Sequence, residues 1–241
     1  MNTREDVHTE GRGGYTIHIQ VDDNPESPRE WDNAGTMVCW HNRHNLGDEQ
    51  PRQDFSDWLP DFMVSNCEKL SDHEYNDADS LTVEQVWNAI NREFVFLPLY
   101  LYDHSGVSIS TRSFVGRSHH GEWDSGQVGF IYISKKQAVR EWGNKIFTKN
   151  VEEKTVNYLV GEVKTYDNYL TGNVYGYIIE DQNGDKLDSC WGFYPNYNDN
   201  PIYRGCLEQA REIVDYYIKQ AEEKQWESLL SQSVEQDMIT A

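Results

Sequence analysis

A chain of 241 residues with 41 acidic and 21 basic side chains, a formal net charge of -20, repels nucleic acid and anionic membrane and attracts basic protein surfaces. Its 13% aromatic content supplies the apolar burial that acidic disordered segments lack, so the chain is expected to fold. No apolar h-region opens the sequence and no run reaches membrane-spanning length, since Pro98 interrupts the most apolar stretch at 94–102; the four scattered cysteines then read as reduced thiols in a cytoplasmic setting.

Tyr15–Val21 alternates apolar and polar residues with the period of a half-buried strand. Residues 22–33 carry Asp-Asp-Asn-Pro and Ser-Pro and read as loop, and the short β-prone run 36–41 reads as a second strand. Pro51 can open a helix with Phe55, Trp58, Leu59, Phe62 and Met63 on one face, which Pro60 is expected to kink or split. Thr82 and Gln85 form a capping box ahead of a helix to about Phe94, its buried face being Val83, Val86, Trp87 and Ile90. Strands at 95–102 and 107–111 flank a turn at Asp103-His104-Ser105-Gly106, and 127–133 is a further strand. Ser134 with Gln137 caps a short helix. Asn150 and Glu153 start a longer one, with Val156, Leu159, Val160, Val163 and Tyr166 inward and Gly172 at its end.

Asn183-Gly184 predicts a hairpin between 173–181 and 186–194 through a type I′ turn, which needs positive φ at both central residues. The helix over 151–170 is expected to pack on that hairpin's sheet and to leave Cys190 in the core. A long helix follows Pro201 through Leu207, Ala210, Ile213, Val214, Tyr217 and Ile218. Helices interspersed with antiparallel hairpins, without βαβ alternation, give an α+β class. No linker rich in Pro, Gly or Ser marks a boundary, so 1–241 reads as a single domain, with 1–14 flexible and 225–241 frayed.

The acid excess is uneven: 48–84 holds eleven acids against Arg52 and Lys69 alone. Asp48, Glu49, Asp54, Asp57, Asp61, Glu68, Asp72, Glu74, Asp77 and Asp79 are the expected partner-binding set. Asp54, Asp57 and Asp61 share one helix face, where side chains on neighbouring turns stand about 5–6 Å apart. Duplex DNA places a phosphate about every 3.4 Å per strand, so two adjacent rows of such acids approach its charge density. The set therefore fits a nucleic-acid mimic that occupies the basic surface of a nucleic-acid-binding protein. A merely solvated acidic face is the commoner origin of a charge run.

Cys39, His41 and His44 offer a thiolate and two imidazoles suited to zinc, with His104, His119, His120 or Cys67 needed to complete a tetrahedral set; a half-buried strand followed by a polar loop is the favoured reading, because no recognised ligand spacing is met. Cys190, before Trp191, has a thiol-protease look but lacks the preceding Gly-rich turn and sits mid-strand. Trp31-Asp32 and Trp123-Asp124, the second just after His119-His120, could serve acid–base chemistry, or each Asp could cap a turn while its Trp fills the core edge. No P-loop, GxGxxG, HExxH or GxSxG occurs, and no cofactor is expected.

Three stretches carry a resemblance: Pro28-Arg-Glu-Trp-Asp-Asn33 running into Gly35-Thr-Met-Val-Cys-Trp-His41 and Asn45-Leu-Gly-Asp-Glu49; Trp123-Asp-Ser-Gly-Gln-Val-Gly-Phe-Ile-Tyr132; and Tyr166-Asp-Asn-Tyr-Leu-Thr-Gly172 with Asp188-Ser-Cys-Trp-Gly-Phe193. Together they resemble acidic proteins of unassigned function encoded by bacteriophages and other mobile elements. The resemblance covers most of 28–194 and transfers no active-site residue. It implies a phage setting in the host cytoplasm and favours an inhibitor of a host nucleic-acid-targeting defence over the two alternatives, a metal- or Cys/His-dependent hydrolase and a virion structural protein.

Overall fold

The structure, a computed structural model, describes residues 5–118, 120–196 and 199–239, with side chains through 231. In chain order the elements are β1 (Asp6–Arg12), β2 (Tyr15–Val21), β3 (Thr36–Cys39), α1 (Phe55–Asn66), α2 (Asp72–Asn76), α3 (Val83–Glu93), β4 (Phe94–Asp103), β5 (Val107–Ser110), β6 (Ser125–Ser134), α4 (Lys135–Glu141), α5 (Lys149–Leu170), β7 (Tyr175–Glu180), β8 (Lys186–Phe193) and α6 (Arg204–Ile239), with 3-10 turns at Pro28–Glu30 and Ala78–Ser80. Two antiparallel sheets, ordered β1-β2-β7-β8 and β3-β6-β4-β5, make this an α+β fold.

The chain divides into two compact units, 27–171 and the pair of segments 1–26 with 172–241. One unit is inserted between β2 and β7 of the other. The boundaries escape sequence reading because they are hydrogen-bonded junctions rather than linkers. The Asp22 N–H donates to the Val174 carbonyl at 2.8 Å, and the Asp22 carboxylate accepts the Gly192 N–H at 3.1 Å. The outgoing and returning strands are thereby fastened side by side, with Val21 opposite Tyr175.

In the discontinuous unit, α6 lays Cys206, Leu207, Ala210 and Val214 on Ile17, Ile19, Tyr175, Tyr177 and Ile179 of the sheet. Residues 6–12, expected to be flexible, are instead β1, because β2 offers them a pairing edge and Arg211 and Arg12 tie Glu10 and Asp215 across to α6. The helix also continues through 225–239, where fraying was expected. The β7–β8 hairpin forms, but its turn is not type I′. Gly184 has φ +84 while Asn183 does not enter the positive region. Asp181 decides this: its carboxylate accepts the N–H groups of Asn183 at 2.8 Å and Asp185 at 3.0 Å, and its carbonyl accepts Gly184 N–H at 3.0 Å. That is a type I turn with glycine in the bulge position. Cys190 is exposed, not core, because β8 is the edge strand.

In the contiguous unit both faces of the sheet are covered, and β4 reads as an almost unbroken apolar run for that reason. Phe94, Phe96, Phe130 and Tyr132 face α1 and α3; Val95, Leu99, Leu101, Ile131 and Ile133 face the other way, where Leu159 and Val163 of α5 meet them. So α5 packs on this sheet and not on the hairpin's sheet. Its amphipathic face specifies an apolar partner without naming which one.

Caps explain most of the remaining differences. α1 starts at Phe55 after Asp54, not at Pro51, and it runs through Pro60 unsplit. The missing Pro60 N–H would have met the carbonyl of Ser56, an exposed residue in the first turn, where water can substitute. The Thr82–Gln85 box is present, yet Val83 is 55% exposed rather than buried. Ser134 caps α4, but the Gln137 amide turns to the Ala34 carbonyl at 3.3 Å instead of closing a box. Thr148, not Asn150, caps α5, and Gly172 follows its end with φ +72.

One buried ion triad joins these parts. Arg29 donates from Nε and Nη2 to both Asp48 oxygens at 2.9 and 2.5 Å, and from Nη1 to Glu162 at 3.0 Å. Glu162 also accepts the N–H groups of Ala34 and Gly35, and Asp48 accepts that of Met37. The Arg29 and Glu162 side chains are 6% and 7% exposed. Arg29→Met is expected to cost about 3–5 kcal/mol in urea unfolding, since it leaves two carboxylates enclosed without a counter-charge. A loss below about 1 kcal/mol would reject the assignment of this triad as a structural keystone.

Candidate functional site

Helices α1, α2 and α3, with the turn Ala78–Ser80, form the cover on the aromatic face of the contiguous unit's sheet, and the acidic segment lies on this cover. The ten expected partner-binding acids separate into two kinds. Asp48 is consumed by the Arg29 triad. Glu74 closes the capping box of α2 with Ser71 and pairs with Arg92 at 2.7 Å. Hydrogen bonds from Ser71 and Arg92 pull its carboxyl down to about 2. The other eight are exposed: Glu49, Asp54, Asp57, Asp61, Glu68, Asp72, Asp77 and Asp79. Asp61 accepts from Gln53 at 3.1 Å, Glu68 pairs with Lys136 at 2.9 Å and Asp77 with His73 at 3.0 Å. Asp54, Asp57, Asp72 and Asp79 make no ion pair among the described residues, and the Asp54 carboxylate makes no capping bond.

Beside this acidic cover lies an open aromatic groove of about 650 Å³, walled by Trp40, Phe55, Trp87, Tyr100 and Phe130 with Pro98. Phe55 stacks on Phe130 at 5.4 Å and meets the edge of Trp40 at 5.6 Å, and Trp87 is edge-on to Phe130 at 5.2 Å. The indole of Trp40 donates to the Gln53 carbonyl at 2.9 Å, which fixes the segment that brings Asp54 and Phe55 to the rim. Gly129 permits the close strand approach behind the groove: a Cβ there would stand 2.0 Å from the Val38 carbonyl oxygen. Sequence periodicity assigns Phe55 and Trp87 to a buried face; only the density of aromatics around them hints that part of that face stays open.

The alternative zinc set at Cys39, His41 and His44 does not assemble among the described residues. Cys39 is fully buried in the core beside Met37 and Leu46, and burial, with Asp48 nearby, pushes its thiol up to about 12. Cys67 is likewise pushed up to about 11, by burial first. No group of three or more His, Cys, Asp or Glu side chains suited to a metal occurs among the described residues. Instead the end of the sheet gathers histidine–aspartate pairs. His41 and His44 stack at 5.0 Å, His44 lies 3.4 Å from Asp103, and His104 Nδ1 lies 2.8 Å from Asp124. His120, with its ring 5.7 Å from that of His104, has φ +61, a strained value for a residue with a side chain. His119 lies outside the described residues. Trp123 is 85% exposed, so it does not fill a core edge, and Asp124 serves His104 rather than a turn cap alone. No helix among the described residues is long and apolar enough to cross a membrane.

Family models, curated proteins and solved structures give no match to this chain. Its surfaces are therefore read from their own chemistry.

The histidine cluster makes a pH prediction. Burial, followed by the neighbouring His44, holds the His41 pKa below the ordinary 6.5. Its Nδ1 also accepts the backbone N–H of His44 at 3.0 Å and of Arg43 at 3.3 Å, which a doubly protonated ring cannot do. The unfolded chain thus takes up the proton first, so stability falls as pH drops through 6.5 and levels off below the folded value. His41→Gln is expected to flatten the pH dependence of urea unfolding between about 7.5 and 5 relative to the parent chain. Parallel profiles for the two proteins would contradict this placement of His41.

Proposed function

We propose that this chain is a non-enzymatic acidic binding protein whose α1–α3 cover competes with nucleic acid for the basic groove of a nucleic-acid-handling protein. In the setting implied by the phage-type resemblance, that partner is a component of a host defence system directed at nucleic acid. The observation that carries the reading is the juxtaposition of uncompensated carboxylates with an open aromatic groove: Asp54 and Asp57 flank Phe55 in sequence, and Phe55 walls the groove. Exposed charge of one sign speeds encounter with an oppositely charged surface, and a partly exposed aromatic wall supplies the desolvated anchor that charge alone does not. Arginine suits both halves of such a site, pairing with carboxylates and stacking on aromatic rings. Asp48 and Glu74 take no part, since both are committed to the fold. The hydrolase alternative loses support at Cys39, because its side chain is fully buried and no metal-suited group forms around it among the described residues.

The test is capture of a partner from bacterial lysate on the immobilised full-length chain, followed by salt titration of the recovered complex. Replacing Asp54, Asp57, Asp61, Asp72 and Asp77 together by Asn is expected to weaken binding by about tenfold or more and to reduce its dependence on ionic strength. Asn at position 54 remains a good helix N-cap, so thermal stability should hold. Unchanged affinity in the five-fold variant would overturn the mimic reading.

A further inference from the structure

One cavity of the contiguous unit is not acidic. About 800 Å³ in size, it lies in the contiguous unit where the end of α1, the end of α3, the start of α4 and the α4–α5 connection converge, and six cations line it: Lys69, Arg92, Lys135, Lys136, Arg140 and Lys145. Only Glu68 and Glu93 oppose them in the lining, a local surplus of four positive charges in a chain of net charge -20. We infer that this cavity binds a compact polyphosphate-bearing ligand of nucleotide size.

The basic side chains are held around the cavity by specific contacts. The Glu93 carboxylate accepts the backbone N–H groups of Glu68 at 3.1 Å and Lys69 at 2.8 Å, fixing the loop that presents Lys69. Lys135 donates to the Asn91 carbonyl at 2.6 Å and lies 5.1 Å from the centre of the Phe147 ring. Lys136 and Arg92 are held in ion pairs with Glu68 and Glu74. Lys69, Arg140 and Lys145 make no ion pair among the described residues, so three cations converge on one concavity without a counter-charge of their own. Anion binding is the interaction that such an arrangement leaves to be satisfied. Phosphate fits it best, since lysines neutralise it as point charges and arginine can grip two of its oxygens at once. Ile146, Phe147 and Val139 add an apolar side against which a flat organic group can rest. The volume falls in the range of small-molecule sites. A nucleic-acid polymer fits less well: its extension beyond the cavity meets the acidic cover within a Debye length, whereas a compact ligand experiences chiefly the local surplus.

The experiment is titration calorimetry on the full-length chain at low salt with ATP, tripolyphosphate, adenosine, hexaglutamate and a 12-nucleotide single strand as probes. ATP and tripolyphosphate are expected to bind and adenosine is not. Equal affinity for the first two assigns the binding to phosphate alone; tighter binding of ATP adds the apolar side. Replacing Lys69, Arg140 and Lys145 together by Gln should weaken ATP by about tenfold or more, as loss of charge-assisted contacts requires. The same change at Arg52, Arg112 and Lys154, which alters net charge equally and touches no residue of the cavity lining, should leave it within about twofold. Circular dichroism melts of both variants report whether they fold. If the cavity variant unfolds, competition is the second measurement: sulfate should displace ATP from the parent chain while chloride at equal ionic strength does not. No binding of ATP or tripolyphosphate at millimolar concentration, hexaglutamate or the oligonucleotide binding as tightly as ATP, or equal losses in the two triple variants would each overturn the inference.

Discussion

Arg29 is the residue on which the contiguous unit depends. Its guanidinium reaches three separate stretches: the loop carrying Asp48 after β3, the turn at Gly35 before β3, and Glu162 in the middle of α5. Each carboxylate in turn accepts backbone N–H groups that no strand partner would satisfy. Enclosed ion pairs of this kind contribute little net stability compared with an apolar core of equal volume. What they supply is a unique arrangement, because every alternative placement of the loops leaves a charge unpaired in a dry site. The short strand β3, only four residues long, keeps its register through this anchor.

Much of the fold was legible where local chemistry decides it. The alternation at Tyr15–Val21 gave β2, and Thr82 with Gln85 gave the start of α3, because a strand face and a capping box are both written within a few residues. The errors lie where the outcome depends on residues far away in sequence. The apolar side of α5 was visible, but nothing within the helix distinguishes one sheet from the other. Asn183-Gly184 pointed to a hairpin, and the side chain of Asp181 then chose its turn. Asp48 reads as one more surface acid until Arg29 is seen beside it. The cationic cavity was the least legible of all, since Lys69 and Arg92 join Lys135, Lys136, Arg140 and Lys145 only through folding.

Opposite charges are thus sorted within a single unit. Acids crowd the outward side of the helices that cover the aromatic face, while cations converge around the cavity near α4. Such sorting costs electrostatic free energy on each surface, because like charges are held together. A sequence with its acids and bases interspersed would avoid that cost, so the sorted pattern marks both surfaces as places where an oppositely charged ligand relieves repulsion.

The insertion of one unit between β2 and β7 imposes an order on how the chain can fold as it is synthesised. The contiguous unit has its entire sequence available once residue 171 has emerged. The β1–β2 hairpin, made first, then waits for β7 and for the first turns of α6 before its apolar side can be covered. During that interval Ile17 and Ile19 lack their helix, and the free edge of β2 is open to any extended strand nearby. Early synthesis therefore does not mean early completion: the amino-terminal strands are the first made and among the last to be buried.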